Sequence, residues 1–172
     1  MNPAAVPFVA PPESVLARAE VTSTDPEEFS RNAPSTYADP VAWLAVEAAR
    51  RALADVPEVL AAREDTAVLA VSAHATIGTM HGIVRRIRAG RVSPLHFAGA
   101  NPGLLAGAVC REWQLKGPSL TLTMPPAHGT DAALTVARGL LGRALAPYVL
   151  LLTHEADEAG HTAVCTVWGR QS

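Results

Sequence analysis

The sequence predicts an α/β fold, a mostly parallel central sheet flanked by helices, and three observations carry that reading. Thr66–Ser72 (TAVLAVS), Ser119–Thr123 (SLTLT) and Tyr148–Thr153 (YVLLLT) are short runs of apolar and β-branched residues, as strands inside a sheet require. Segments of helical periodicity or small-residue composition separate each run from the next. The resulting order, β-α-β-α-α-β-α-β-β, calls for crossover connections between parallel strands. All three runs are expected as inner strands.

Taken in order, residues 1–38 are the least regular part. Pro3, Pro7, Pro11, Pro12, Pro26 and Pro34 interrupt any long element, because proline lacks an amide donor and restricts its predecessor. Only Ser14–Val21 reads as a strand there. The main domain, residues 39–172, begins at Asp39-Pro40, an N-cap followed by proline at the first helical position. In VAWLAVEAARRAL, Trp43, Val46, Ala49/Arg50 and Leu53 recur at helical spacing, with Glu47, Arg50 and Arg51 towards the polar side. Thr76–Ala89 is a second helix, with Met80, Val84 and Ile87 on one face. Ser93-Pro94 reads as the start of a loop, Leu104–Trp113 as a third helix, and Gly117-Pro118 as a turn. Gly129–Leu145 is a fourth helix, and Thr162–Trp168 (TAVCTVW) a last strand, reached through the acidic turn HEADEAGH.

Composition removes several function classes. The 172 residues are 49% hydrophobic, with a mean hydropathy of +0.17, which excludes a wholly disordered chain. A single core of this size buries roughly two-thirds of the unfolded surface. No apolar run approaches the ~18 residues of a membrane span, and the start (MNPAAVPFVAPPES) lacks the features of a secretory signal, so a cytoplasmic protein is expected. Fourteen Lys and Arg against sixteen Asp and Glu leave a net charge of -2, which argues against a nucleic-acid binder. Cys110 and Cys165 form neither a disulfide framework nor a zinc site. No metal and no cofactor are expected.

The stretch SPLHFAGANPGLLAGAVCREWQLKGPSLTLTMPPAHGTDAALTVAR, from Ser93 to Arg138, carries a family resemblance. Ser-Pro, a loop, Ala106-Gly107 in a helix, Gly117-Pro118-Ser119, a short β-branched strand and a small-residue helix follow in the order seen in β-ketoacyl synthases of the thiolase fold. The upstream AVEAARRALADV and TAVLAVS and the downstream VLLLTHEADE extend the resemblance from about Asp39 to Trp168. It implies a thiolase-like half fold. In an active ketosynthase a cysteine occupies the turn between that strand and helix, where the helix N-terminus stabilises a thiolate and supplies amides to an oxyanion. Aligned without gaps, that position is Pro126, flanked by Pro125, Ala127 and His128. The family's two catalytic histidines lie in a C-terminal half beyond Ser172. The resemblance therefore implies no independent condensing activity, and it is strongest to short chain-length-factor-like homologues that pair with an active ketosynthase and help to wall its acyl tunnel.

Pairing also has a physical argument. The family's dimer interface lies at the strand preceding the nucleophile turn, here Leu120, Thr121, Leu122 and Thr123, with Met124 following. An uncharged Leu/Thr strand at a sheet edge needs covering. The alternative is an interior strand covered within one chain. Half a thiolase fold should also leave apolar helix surface open, with Trp43, Met80, Val84 and Trp113 as candidates. Expected partners are an active ketosynthase subunit or a second copy of the chain.

Among other residues, His128 is the candidate for residual general-base chemistry, against a plain polar residue at a helix start. Arg85, Arg86, Arg88 and Arg91 form a basic run that suits an acyl carrier protein, or simply complements the helix dipole. His154, Glu155, Asp157, Glu158 and His161 cluster, but without the spacing of a metal site. Cys110 and Cys165 read as small core residues. Three functions compete: a non-catalytic, chain-length-factor-like subunit in type II polyketide, polyene or fatty-acyl assembly; a small acyl-thioester enzyme using His128; and a homodimeric scaffold.

Overall fold

The structure is a computed structural model and describes residues 13–91 and 93–170. Its elements follow the chain as β1 (Glu13–Ser23), a 3-10 turn (Pro26–Phe29), α1 (Pro40–Ala54), α2 (Glu58–Ala61), β2 (Ala67–Ser72), α3 (Ile77–Arg88), α4 (Pro94–Gly99), α5 (Leu104–Trp113), β3 (Ser119–Leu122), α6 (Pro126–Gly142), β4 (Tyr148–Asp157) and β5 (Gly160–Arg170). The strands form one sheet in the order β1-β5-β4-β2-β3.

Four of the five strands point the same way, as expected of a mostly parallel sheet, and β5 alone is reversed. β2 runs parallel to both β3 and β4, whereas β5 is antiparallel to β4 and to β1. The reason is local: β4 and β5 are joined by a two-residue turn after Asp157, and only antiparallel strands can be joined so tightly. HEADEAGH is consequently not a turn along its whole length. His154, Glu155 and Asp157 belong to β4 and His161 to β5, leaving Glu158 and Ala159 between them. β1 is longer than Ser14–Val21 and zips along almost all of β5, so the chain joins the sheet before its proline-punctuated stretch ends. Pro3, Pro7, Pro11 and Pro12 lie outside the described residues.

Of the three runs expected inside the sheet, β2 and β4 are interior. β3 is not: it pairs with β2 on one side and forms an edge on the other. Ser93-Pro94 starts α4 instead of a loop, because proline is favoured in a first helical turn. α6 starts at Pro126, three residues before the predicted start, for the same reason.

Alternation along the strands divides the interior into two layers. Val68 and Ala70 of β2, Leu150 and Leu152 of β4, and Cys165 and Val167 of β5 face α1 and α5. Ala67, Leu69 and Val71, with Val149 and Leu151, face α6, which contributes Ala133, Ala137 and Leu141. Small residues on α6 allow its close seating. A Cβ on Gly129 would stand 2.5 Å from Val71 Cγ1. Burial pushes the Cys165 thiol up to about 12, and that of Cys110 upwards too, which keeps both protonated as core residues.

The apolar surface expected to remain open is only partly where the sequence put it. Met80 and Val84 are each 47% exposed. Trp43 is buried, its Nε1 donating to Asn32 Oδ1 and its ring lying under the Arg31 and Arg111 guanidinium groups. Trp113 packs half-buried on the α1/α5 side.

Candidate functional site

The C-terminal ends of β2, β3 and β4 and the start of α6 meet at one end of the sheet. There, Pro125 is the N-cap residue of α6 and Pro126 its first helical residue. Neither proline has an amide hydrogen. The amides of His128 and Gly129 both donate to Pro125 O at 2.9 Å, and Thr130 Oγ1 donates to Pro126 O. The turn thus offers no thiol, and of the first helical amides only Ala127 N–H is left for a ligand.

Behind the turn lies a chain of buried polar groups that sequence reasoning missed. Ser72 ends β2, and its Oγ accepts from Ala75 N at 2.8 Å. The same oxygen is 2.8 Å from His154 Nδ1, and His154 Nε2 is 3.1 Å from His161 Nδ1. The two rings stack with centroids 5.3 Å apart. Burial holds the His154 imidazole down at about 4, with His161 and His74 pushing in the same direction. Ser72 Oγ, which already accepts from Ala75 N, can donate to His154 Nδ1 or accept from it, and the His154 tautomer sets the direction of both contacts. The strand pairing Ser72↔His154 that builds this contact was invisible in the sequence, because only the β2–β4 register brings residues 82 positions apart together.

The loop after β2 is held tightly. Ala75 adopts φ 43°, a conformation rare for a residue with a Cβ, and Thr76 Oγ1 donates to Ala100 O at 2.6 Å. Asp39 ties the same loop to α1: Oδ1 accepts from Val41 N, while Oδ2 accepts from both Thr79 N and Thr79 Oγ1.

Two clefts flank His74. A smaller one of about 230 Å³ lies between Pro125, Pro126, His154 and Glu155. A larger one of about 320 Å³ is bounded by Tyr37, Val41, Ile77, Arg85, Arg86 and His161, among others. His128 is exposed and lines neither of these clefts. Leu120 is 40% and Met124 36% exposed on the β3 edge, whereas Thr121 and Leu122 are half-buried and Thr123 is exposed. Arg85 and Arg86 border the larger cleft, while Arg88 and Arg91 are exposed without lining it. Among the described residues no three His, Cys, Asp or Glu side chains converge to hold a metal ion, and no helix is long and apolar enough to cross a membrane.

No protein-family model matches the sequence, and no curated protein does. Solved structures do. The ishigamide ketosynthase/chain length factor superposes with a TM-score of 0.76 at 16% identity, over 92% of this chain and 62% of that one. A ketosynthase in complex with its chain length factor from Xenorhabdus doucetiae gives 0.63 at 13% identity, over 93% and 79% of the two chains. A type II polyketide acyl-carrier protein in complex with its ketosynthase gives 0.72 at 11%, over 92% and 62%. This chain therefore spans about three-fifths of two of these and four-fifths of the third. The sheet, its flanking helices and the proline turn together have the thiolase-like fold of ketosynthases and chain length factors.

Proposed function

We propose that this chain is a non-catalytic, chain-length-factor-like subunit that pairs with an active ketosynthase during acyl-chain assembly of the type II polyketide, polyene or fatty-acyl kind. The observation that carries the proposal is Pro126 at the first position of α6, where an active ketosynthase places its nucleophile. Supporting it, the neighbouring edge strand β3 is short and uncharged, with Leu120 and Met124 open to a partner. The other sheet edge, β1, is protected by contrast. It carries the exposed Arg18–Glu20 pair and a register shift between Val15 and Ala17, both of which discourage strand addition.

In this reading Leu120, Thr121, Leu122, Thr123 and Met124 form the subunit interface. The basic end of α3, with Arg85, Arg86, Arg88 and Arg91, offers charge to an acyl carrier protein. A neighbour of known structure holds a ketosynthase together with a carrier protein, which supports that arrangement by analogy. A second copy of the chain at β3 is the competing occupant.

The test is co-expression of the chain with each full-length ketosynthase encoded beside it, followed by size-exclusion chromatography and native mass measurement. A one-to-one complex is the expected result. A chain that stays monomeric with every such ketosynthase, or that forms only a homodimer, rejects the heterodimer reading.

A further inference from the structure

The larger cleft has features that pairing with a ketosynthase does not use, although Arg85 and Arg86 on its wall are also residues offered above to a carrier protein. Its wall is built on a buried framework: Asp39 with its three donors, the constrained Ala75, and the Ser72–His154–His161 chain. A backbone held in a sparsely populated conformation by surrounding bonds is a feature concentrated at ligand sites. The His154 contact occupies His161 Nδ1, and His161 Nε2 has no bond to another described residue. Arg86 donates to His96 Nε2, which directs the guanidinium along α4, and neither Arg85 nor Arg86 pairs with a carboxylate among the described residues. Two carboxylates, Asp39 and Glu27, line the same cleft and have hydrogen-bond donors of their own. Asp39 accepts three hydrogen bonds, and Glu27 accepts from Ser30 Oγ. Tyr37, Val41 and Ile77 supply apolar wall to the same cleft.

We infer that this cleft binds a small amphipathic anion, an oxyanion group on a short alkyl body, with Arg85, Arg86 and His161 holding the charged end. Two guanidinium groups and one imidazole suit a carboxylate or a phosphate monoester equally, since both present several acceptor oxygens. The alkyl part lies along Tyr37, Val41 and Ile77. The inference is separate from the proposed pairing, because the cleft is lined by α1, α3 and α4 surroundings and not by β3.

The experiment titrates the purified full chain at low salt with hexanoate, butyl phosphate and, as the neutral control, hexanol, followed by calorimetry and by the His161 ring resonances. At least one anion is expected to bind in the millimolar range or tighter while hexanol does not. Arg85→Gln and Arg86→Gln should each weaken binding by about tenfold, the loss of one charge-assisted contact. Both are exposed side chains, so folding is unaffected, and an unchanged circular dichroism melt verifies it. Preference for one anion identifies its chemical source and supports the inference. Equal binding of hexanol, no binding of either anion, or affinities unchanged in both arginine variants overturns it. None of these outcomes bears on whether the chain pairs with a ketosynthase.

Discussion

Asp39 does two jobs at once. From the sequence it is an N-cap before Pro40, and the structure bears this out through Val41 N to Oδ1 at 3.0 Å. Its second oxygen takes Thr79 N and Thr79 Oγ1 at 2.9 and 2.7 Å, which fastens α3 to α1. Asp39→Ala leaves Val41 N and Thr79 N without an acceptor in a buried site and removes one of the two partners of Thr79 Oγ1, and stability should fall by about 2–4 kcal/mol. Asp39→Asn should recover only part of this, because an amide nitrogen would face one of those donors. Urea unfolding of the two variants checks the ranking. His154 gives a pH prediction. Its folded value near 4 lies below the ordinary 6.5, so between these values the unfolded chain binds more protons. The contribution is complete above pH 6.5 and is lost as pH falls towards 4, by on the order of 3 kcal/mol. Glu47, held down at about 2 by its hydrogen bonds to Arg50 and Arg51, loses its contribution lower still, as pH falls from 4.5 towards 2. His154→Asn should flatten the unfolding free energy between pH 6.5 and 4 relative to wild type. Parallel curves for the two proteins would show that His154 is not buried neutral beside Ser72, His161 and His74.

At the scale of elements, periodicity carried most of the fold. β2, β4, α1 and α5 were legible because each combines an unbroken pattern with a clear start or stop, such as Asp39-Pro40 for α1. What was not legible has a common cause: partners distant in the chain. The outward apolar face of α3 is a partial case, since Met80 and Val84 were expected open but the full stripe was not. Ile77, Met80, Val84 and Ile87 share a stripe at helical spacing, which read alone suggests a core face, yet all four are between 45% and 48% exposed. Only Thr79 and Ile83 of that helix are buried. The position of β3 is another, since the sequence read it both as an inner strand and as an uncharged edge, and only the topology decides for the edge. The proline turn was legible in sequence from the resemblance, whereas the Ser72–His154–His161 chain behind it was not. The seating of α6 offers a direct test. A Cβ at residue 129 would stand 2.5 Å from Val71 Cγ1 and 2.7 Å from Met124 Cγ. Gly129→Ala should therefore shift the helix start off β2 and cost about 1–3 kcal/mol by overpacking. An unchanged thermal midpoint would mean that α6 does not approach β2 so closely.

At the scale of the molecule, chemistry and assembly give separate expectations. Incubated with acyl- and malonyl-carrier protein, the chain alone should form neither an acyl adduct nor a condensed product, since the turn at Pro126 has no nucleophile and few free amides. Intact mass and peptide mapping decide this, and an adduct anywhere in residues 125–129 would reverse it. Assembly depends on whether one small edge can hold a partner. A stable interface buries about 800 Å² on each side. Four residues of β3 cannot supply that area alone. Met124, against which Gly129 packs, joins the strand to the start of α6. Strand addition at β3 would satisfy the edge amides, and the α6 start would supply further area beside it. Leu120→Asp is the sharpest probe, because Leu120 is exposed in the single chain and its replacement leaves the chain's own core intact. A charge buried there on association is costly, so the complex with a ketosynthase should weaken by at least tenfold while the melt of the isolated chain is unchanged. Thr121→Arg and Leu122→Asp should also dissociate it, but both residues are half-buried, so they will lower the stability of the chain as well. If Leu120→Asp and Thr121→Arg both remain associated, the partner does not lie on β3, and the pairing reading loses the edge on which it stands.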